Sequence, residues 1–154
     1  MSNVREITTA LAAISVTYTK EVGGTVTPTA YDISALPPSV PAANLPVRLL
    51  GAVRGSSSAS FVYETAGTTA ASVEHSISEL ALIEMVGLSR MQDEWCDTMR
   101  YMDALLDALQ ANRSIYTRSE IVGISCQREV IEWPAQSGEF YFGCMSTFTI
   151  KQLQ

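Results

Sequence analysis

The segment from Ser89 to Asn112 constrains the fold more than any other part of the sequence, because its apolar residues recur with the period of an α-helix. At about 100° per residue, one side of such a helix is apolar and the opposite side is charged. The apolar stripe consists of Met91, Trp95, Thr98, Met99, Met102, Leu105, Leu106 and Leu109. The charged side consists of Asp93, Asp97, Arg100, Asp103 and Asp107. We therefore predict a long amphipathic helix whose stripe packs on a hydrophobic core.

Alternation of apolar and polar residues predicts the strands around this helix. Four strands are predicted, over Leu45–Val53, Val73–Met85, Ile121–Ile131 and Glu139–Lys151. The phase of the second strand changes at Leu80, which predicts a bulge near Glu79. The turn-rich residues Trp133–Gly138 join the last two strands, which should form an antiparallel hairpin. A shorter helix is predicted over Val4–Ser15.

Two long connections separate the first elements. Residues 23–46 are rich in proline and glycine, and a loop of this length is normally functional or laid over a partner. Tyr31, Ile33 and Leu36 could hold it on the domain surface. Residues 51–72 are mostly small and polar, which predicts a long arm or hairpin that projects from the sheet.

Together these elements predict one α+β domain over residues 1–154. We expect two layers: a mostly antiparallel four-stranded sheet with two main helices packed on one face, and the arm projecting from it. The chain of 154 residues is 47% hydrophobic and 17% charged, which is typical of a single folded domain. No apolar run reaches the ~20 residues of a membrane-spanning helix. The first residues do not resemble a secretion signal, so we expect folding in a cytoplasm.

The charge balance argues against a protein that grips nucleic acid. Sixteen acidic residues outnumber ten basic ones, for a net charge of −6, whereas binding to phosphates needs clustered Lys and Arg. An acidic lining would instead suit a channel through which DNA slides, because repulsion prevents adhesion.

Residues that could carry catalysis are sparse. His75 is the single histidine and falls in the middle of a predicted strand, without a nucleophile or metal-ligand partners at suitable spacing. Cys126 and Cys144 could lie opposite each other in the last hairpin, and Cys96 lies on the long helix. In a reducing compartment we expect packed thiols. The sequence therefore assigns no catalytic residue, no cofactor and no metal.

The order of these elements resembles the tail terminator proteins of long-tailed bacteriophages. Six parts carry the resemblance: the N-terminal helix, the linker Tyr31–Pro37, the strand Leu45–Leu50, the long strand Val73–Met85, the helix Ser89–Asn112, and the final hairpin with Glu132-Trp-Pro-Ala and Tyr141-Phe-Gly143. It covers nearly the whole chain as topology and pattern, without a sharp motif.

The resemblance implies a structural virion protein of the tail or neck, assembled in the host cytoplasm. Such subunits form a hexameric ring that caps the tail tube and offers a docking surface to the head connector or stopper protein. Genomic DNA passes through the lumen without specific binding. The family implies no cofactor, no membrane and no catalytic residue.

Two hypotheses place this function on residues. Phe61, Val62 and Tyr63 would be apolar anchors of the arm that dock on an adjacent ring or subunit. Some of the four aspartates Asp93, Asp97, Asp103 and Asp107 would face the channel or its mouth.

Other functions are compatible with the same pattern. A head-completion protein, meaning a stopper or connector at the head–tail joint, is the nearest alternative. A tail-tube subunit would need more strands, and the long helix counts against it. A small enzyme or ligand-binding domain would use a pocket under the proline-rich loop, for which the sequence offers only His75.

Overall fold

The computed structural model describes residues 4–32, 34–52, 61–65, 72–87, 91–116 and 119–153. Within these residues there are two α-helices, α1 (Val4–Ala12) and α2 (Met91–Ala111), and a short 3₁₀ turn at Ala42–Asn44. The strands are β1 (Tyr18–Thr19), β2 (Thr25–Val26), β3 (Thr29–Tyr31), β4 (Val47–Leu50), β5 (Phe61–Thr65), β6 (Ser72–Met85), β7 (Ser114–Tyr116), β8 (Ser119–Glu132) and β9 (Phe140–Leu153).

Seven of these strands form one curled, mixed sheet that resembles half a barrel, and β1 and β2 form a separate hairpin. Six strands lie in the order β3-β4-β6-β9-β8-β7, and β5 pairs with β6. Among the described pairs only β3–β4 is parallel. The predicted fold class is therefore wrong, because seven strands form a curled, mixed sheet where a four-stranded sheet was expected. The strands that were not predicted, β1, β2, β3, β5 and β7, have only two to five residues each and show too little alternation to be recognised in the sequence.

The segment 51–72 was predicted to project from the sheet, and this too is wrong where the structure describes it. Phe61–Thr65 pairs in antiparallel register with residues 73–77 of β6. Because β4 pairs with residues 79–82 of the same strand, β4 and β5 lie in line along one side of β6. Residues 53–60 and 66–71 lie outside the described residues.

Residues 79–83 of the long strand β6 are buried on both faces, which explains the irregular sequence pattern of this strand. Ile77 and Ala81 lie in the core beneath the helices, whereas Leu80 and Leu82 lie in a second core on the opposite face. The phase change at Leu80 therefore reflects two buried faces. The predicted bulge near Glu79 is wrong in position, since the register between β6 and β9 shifts between Leu82 and Glu84.

The helices α1 and α2 cover one face of the sheet. Their buried residues Ile7, Leu11, Tyr101, Leu105 and Leu109 pack with sheet residues of the same cluster. The sheet contributes Leu50, Ile77, Ala81, Ile83, Ile121, Cys144, Phe148 and Ile150. Burial of this apolar surface is the main force that holds the two layers together.

The proline-rich loop covers part of the other face, so it lies over the chain's own sheet. Its residues Val40, Leu36, Leu45 and Tyr31 pack with the second core, on the face opposite the helices. The prediction that Tyr31 and Leu36 hold the loop is confirmed, and Ile33 lies outside the described residues.

Two side-chain hydrogen bonds attach this loop to the end of the β8–β9 hairpin. The Tyr141 hydroxyl donates to the carbonyl oxygen of Val40 at 2.6 Å, and Trp133 Nε1 donates to that of Pro37 at 3.2 Å. Burial, and next the Glu139 carboxylate, raise the pKa of Tyr141 to about 12. The phenol therefore remains a donor at neutral pH.

Gly143 permits a close approach between β6 and β9. A Cβ built at this position would overlap the carbonyl oxygen of Ala81 and would lie 3.3 Å from Ile131 Cδ1. Relief requires the two central strands to move apart, because the overlapping atom belongs to backbone.

We expect Gly143→Ala to lower the free energy of unfolding by about 1–3 kcal/mol, because the added methyl group overpacks the strand pair. Gly123→Ala is the matched control, since its Cβ would meet Thr149 Cβ at an ordinary 3.7 Å. Urea denaturation of both variants measures the difference. Equal stability of the two variants would contradict the assigned close approach.

Candidate assembly surface

A buried polar cluster joins both helices to the sheet. Arg48 Nε and Nη2 donate to Glu79 Oε2 at 3.2 and 2.9 Å, and the Tyr101 hydroxyl donates to Glu79 Oε1. Arg48 also donates through Nη1 to the carbonyl oxygen of Ile14 at 2.7 Å and through Nη2 to that of Leu11 at 3.4 Å. The guanidinium thus satisfies carbonyl groups at the C-terminus of α1, where a cation is favourable.

The electrostatics of this cluster maintain the charge of Arg48. Burial lowers the pKa of its guanidinium, but the Glu79 carboxylate and the Tyr101 phenol together outweigh that effect and the pKa rises. Burial, and next Glu79, raise the pKa of the Tyr101 phenol well above its usual value of 10. The three residues are at most 1% exposed, so a substrate in solution cannot reach them. The cluster is structural.

Sequence reasoning missed this cluster, although signals were present. Arg48 interrupts the apolar run Leu45–Leu50, and a charge inside a buried strand needs a partner. Tyr101 was absent from the predicted stripe, yet it is fully buried. The buried side of α2 includes Thr98, Tyr101, Leu105 and Leu109.

Of the four predicted channel-facing aspartates, Asp97 does not lie on a solvated face. Its side chain is 3% exposed, and its Oδ1 accepts a hydrogen bond from the backbone N–H of Glu21 at 2.6 Å. The ion pair Arg100–Glu21 at 2.8 Å supports the same contact, and the ion pair Lys20–Glu84 at 3.0 Å joins the hairpin to β6. Asp97 therefore holds the β1–β2 hairpin on α2. Its burial does not agree with the predicted place in a channel.

For the other three aspartates, a position facing the channel stays a prediction. Asp103 and Asp107 are exposed on the outer side of α2. The side chain of Asp93 lies outside the described residues. Whether Asp103 and Asp107 face a channel stays a prediction, because this depends on neighbouring subunits.

Large apolar side chains are exposed where α2 runs beside β8. Met99 is 50% exposed and Leu106 is 39% exposed, so the prediction that both lie in the core is wrong. On the sheet, Val130 is 45% exposed and Phe140 is 44% exposed.

Arg128 connects the helix and strand parts of this surface. Its guanidinium lies 4.9 Å from the ring centroid of Trp95, and its Nη1 lies 3.7 Å from Met99 Sδ. Trp95 packs edge-on against Phe142, which is the register partner of Val130. We call the surface formed by Trp95, Met99, Arg128, Val130 and Phe140 the β8 patch.

Most of one edge of β8 carries no partner among the strands that the structure describes. β7 pairs only with Ser119 and Glu120, whereas β9 pairs with β8 over its whole length. Within the described chain, residues 123–132 pair with β9 alone. In an antiparallel ladder alternate residues direct their N–H and C=O groups to the far side, so about five residues offer unpaired groups here. Such an edge can accept an extended segment.

The predicted anchors Phe61, Val62 and Tyr63 belong to β5. This strand pairs, within the described chain, with β6 alone, so its outer edge is also free. The side chains of β5 lie outside the described residues, and their docking role stays a prediction.

The remaining candidate residues do not form a reactive centre. His75 is buried, and its Nε2 lies 3.3 Å from Gln152 Oε1. The hairpin register places Cys126 opposite Ser146, two residues from Cys144, so the predicted direct opposition is wrong. All three cysteines are free thiols, and burial raises the pKa values of Cys126 and Cys144. In the described part of the chain, no group of three or more His, Cys, Asp or Glu could hold a metal.

A shallow depression of about 430 Å³ lies between the end of α1 and β7. It is lined by Ala10, Ala13, Ile14, Ser15, Asn112, Ser114 and Ile115. None of these side chains titrates near neutral pH, so the depression offers no acid–base chemistry.

Comparisons with protein-family models, with curated proteins and with solved structures found no match for this chain. Among the described residues, neither helix is sufficiently long and apolar to cross a lipid bilayer.

We expect Glu79→Gln to lower the free energy of unfolding by about 3–5 kcal/mol, because Arg48 would remain as an uncompensated buried charge. Arg100→Met is the matched control: it removes the exposed ion pair with Glu21, which is worth about 1 kcal/mol or less. Urea denaturation of both variants tests the difference. Similar losses of unfolding free energy in the two variants would show that the buried ion pair contributes no more to stability than the exposed one.

Burial raises the pKa of Asp97 despite the hydrogen bond from Glu21, so folding favours its protonated form. Its contribution to stability is therefore greatest at low pH and declines as pH rises from about 4 through the raised pKa. Asp97→Asn keeps an oxygen acceptor and does not titrate. We expect the stability of Asp97→Asn relative to the native protein to increase over that pH range.

Urea denaturation from pH 3 to pH 8 measures this difference, with the exposed Asp107→Asn as the control for loss of one carboxylate. A difference for Asp97→Asn that declines with rising pH would contradict the assignment.

Proposed function

We propose that this chain is a structural subunit of a bacteriophage tail or neck, a tail terminator that forms a ring on the tail tube. The observation that carries the proposal is the β8 patch beside a free strand edge. A chain that remains alone in solution seldom leaves such an edge unprotected next to exposed apolar side chains. A neighbouring subunit would remove both features from water.

The order of long elements supports the same proposal. The helix α1, the strands β4 and β6, the helix α2 and the β8–β9 hairpin follow one another as in the parts that carry the resemblance to terminators. The larger sheet is a departure from the expected fold, so the support comes from element order and the assembly surface.

The charge distribution supports a lumen that conducts DNA. Asp103 and Asp107 are exposed on α2 of a chain with net charge −6, and repulsion of phosphate would keep DNA from adhering. In this proposal the ring binds the tail-tube protein on one face and the head connector or stopper on the other. No catalytic residue or cofactor takes part.

Native mass spectrometry tests the ring directly. We expect six copies of the 16.7 kDa chain, either in the purified protein or after mixing it with the tail-tube protein. The tail-tube protein alone is the control for its own assemblies. A monomer or dimer in both samples would contradict the proposal. A closed ring that binds the portal-side connector but not the tube would favour the head-completion alternative.

A further inference from the structure

We propose that the outer edge of β8, residues 123–132, pairs with the outer edge of β5, Phe61–Thr65, in a second copy of this chain. The sheet would then continue from one subunit to the next. This inference rests on the proposed ring and assigns the two surfaces that meet.

The topology makes the two edges complementary. β8 and β6 both run antiparallel to β9, and β5 runs antiparallel to β6. Within one chain β5 is therefore antiparallel to β8. A second copy whose sheet has the same orientation, shifted along the strands so that β5 lies level with residues 123–132, presents β5 antiparallel to β8. The outward N–H and C=O groups of both strands can then pair as in the ladder inside each subunit.

The side chains beside the β8 edge support another copy as the occupant. Arg128 is exposed, contacts the Trp95 ring and Met99 Sδ, and forms no ion pair with the described residues. A second copy is predominantly acidic, with net charge −6, and the exposed Glu74 lies in register with Glu64 of β5. The cation of the β8 patch is thus complementary to the neighbour's overall charge.

The use of two different edges determines the symmetry. Contacts between unlike surfaces are heterologous and close as a ring when the rotation between copies permits. Pairing of β8 with a second β8 would instead give a twofold dimer and would leave both β5 edges unpaired.

Val130→Lys tests the proposal, because a lysine on the exposed edge strand opposes strand pairing and adds a second cation beside Arg128. Val22→Lys is the matched control, since Val22 is 70% exposed in the β1–β2 hairpin. Native mass spectrometry over a concentration series measures assembly, and thermal unfolding checks the fold. Amide hydrogen exchange reports pairing of residues 123–132 and 61–65.

We expect the native protein and Val22→Lys to form the same ring, with both edges protected from exchange. Val130→Lys should raise the dissociation constant at least about tenfold while it leaves the thermal midpoint of the subunit unchanged. If Val130→Lys instead lowers that midpoint, the test is amide hydrogen exchange in the native assembly. Protection of residues 123–132 and 61–65 supports the inference, and lack of protection overturns it.

The outcomes separate the two proposals. A ring that survives Val130→Lys with residues 123–132 unprotected overturns this inference and leaves the ring intact. Open chains that depend on Val130 and protect both edges support this inference and contradict the closed ring. A twofold dimer that protects β8 but not β5 overturns the assignment of β5 as the partner strand. A monomer under all conditions overturns both proposals.

Discussion

The orientation of both helices depends on one buried ion pair between Arg48 and Glu79. Transfer of either charge from water into the core would be prohibitive alone, so each must find its partners. Arg48 takes the carbonyl groups at the end of α1, and Glu79 takes the phenol of Tyr101 on α2. An alternative packing of either helix would leave a buried group unsatisfied. This polar geometry supplies specificity that apolar contacts, which are non-directional, do not supply.

The sheet divides the buried apolar residues of the chain into two cores, one on each of its faces. Strands β6 and β9 contribute to both cores, one under the helices and one under the proline-rich loop. The rotation of α2 that buries Tyr101 leaves Met99 and Leu106 exposed, with Met99 beside Arg128 of β8. The constraint that orients the helix thus also creates the exposed apolar surface, which connects the interior of the subunit with its proposed assembly.

Local sequence patterns predicted the long elements, but not how they combine. The period of Ser89–Asn112 predicted α2, and the alternation of residues 121–131 and 139–151 predicted the β8–β9 hairpin. The rotation of α2 was missed because Tyr101 pairs with Glu79, 22 residues away, a contact that periodicity does not encode. The parallel β3–β4 pair, whose partners are 18 residues apart, is likewise not encoded in a local pattern. The assembly surface was missed because Met99 and Leu106 have the hydropathy of core residues.

The collinear arrangement of β4 and β5 has a consequence for variation in this chain. Both strands hydrogen-bond to the same side of β6, so the registers on either side of residues 53–60 are set independently by β6. Neither register therefore fixes the length of the segment that joins Ala52 to Phe61. Its length can therefore change in related chains, or receive a peptide tag, at a modest entropic cost and without shifting either ladder. Diversification at this place would leave the two-core framework intact.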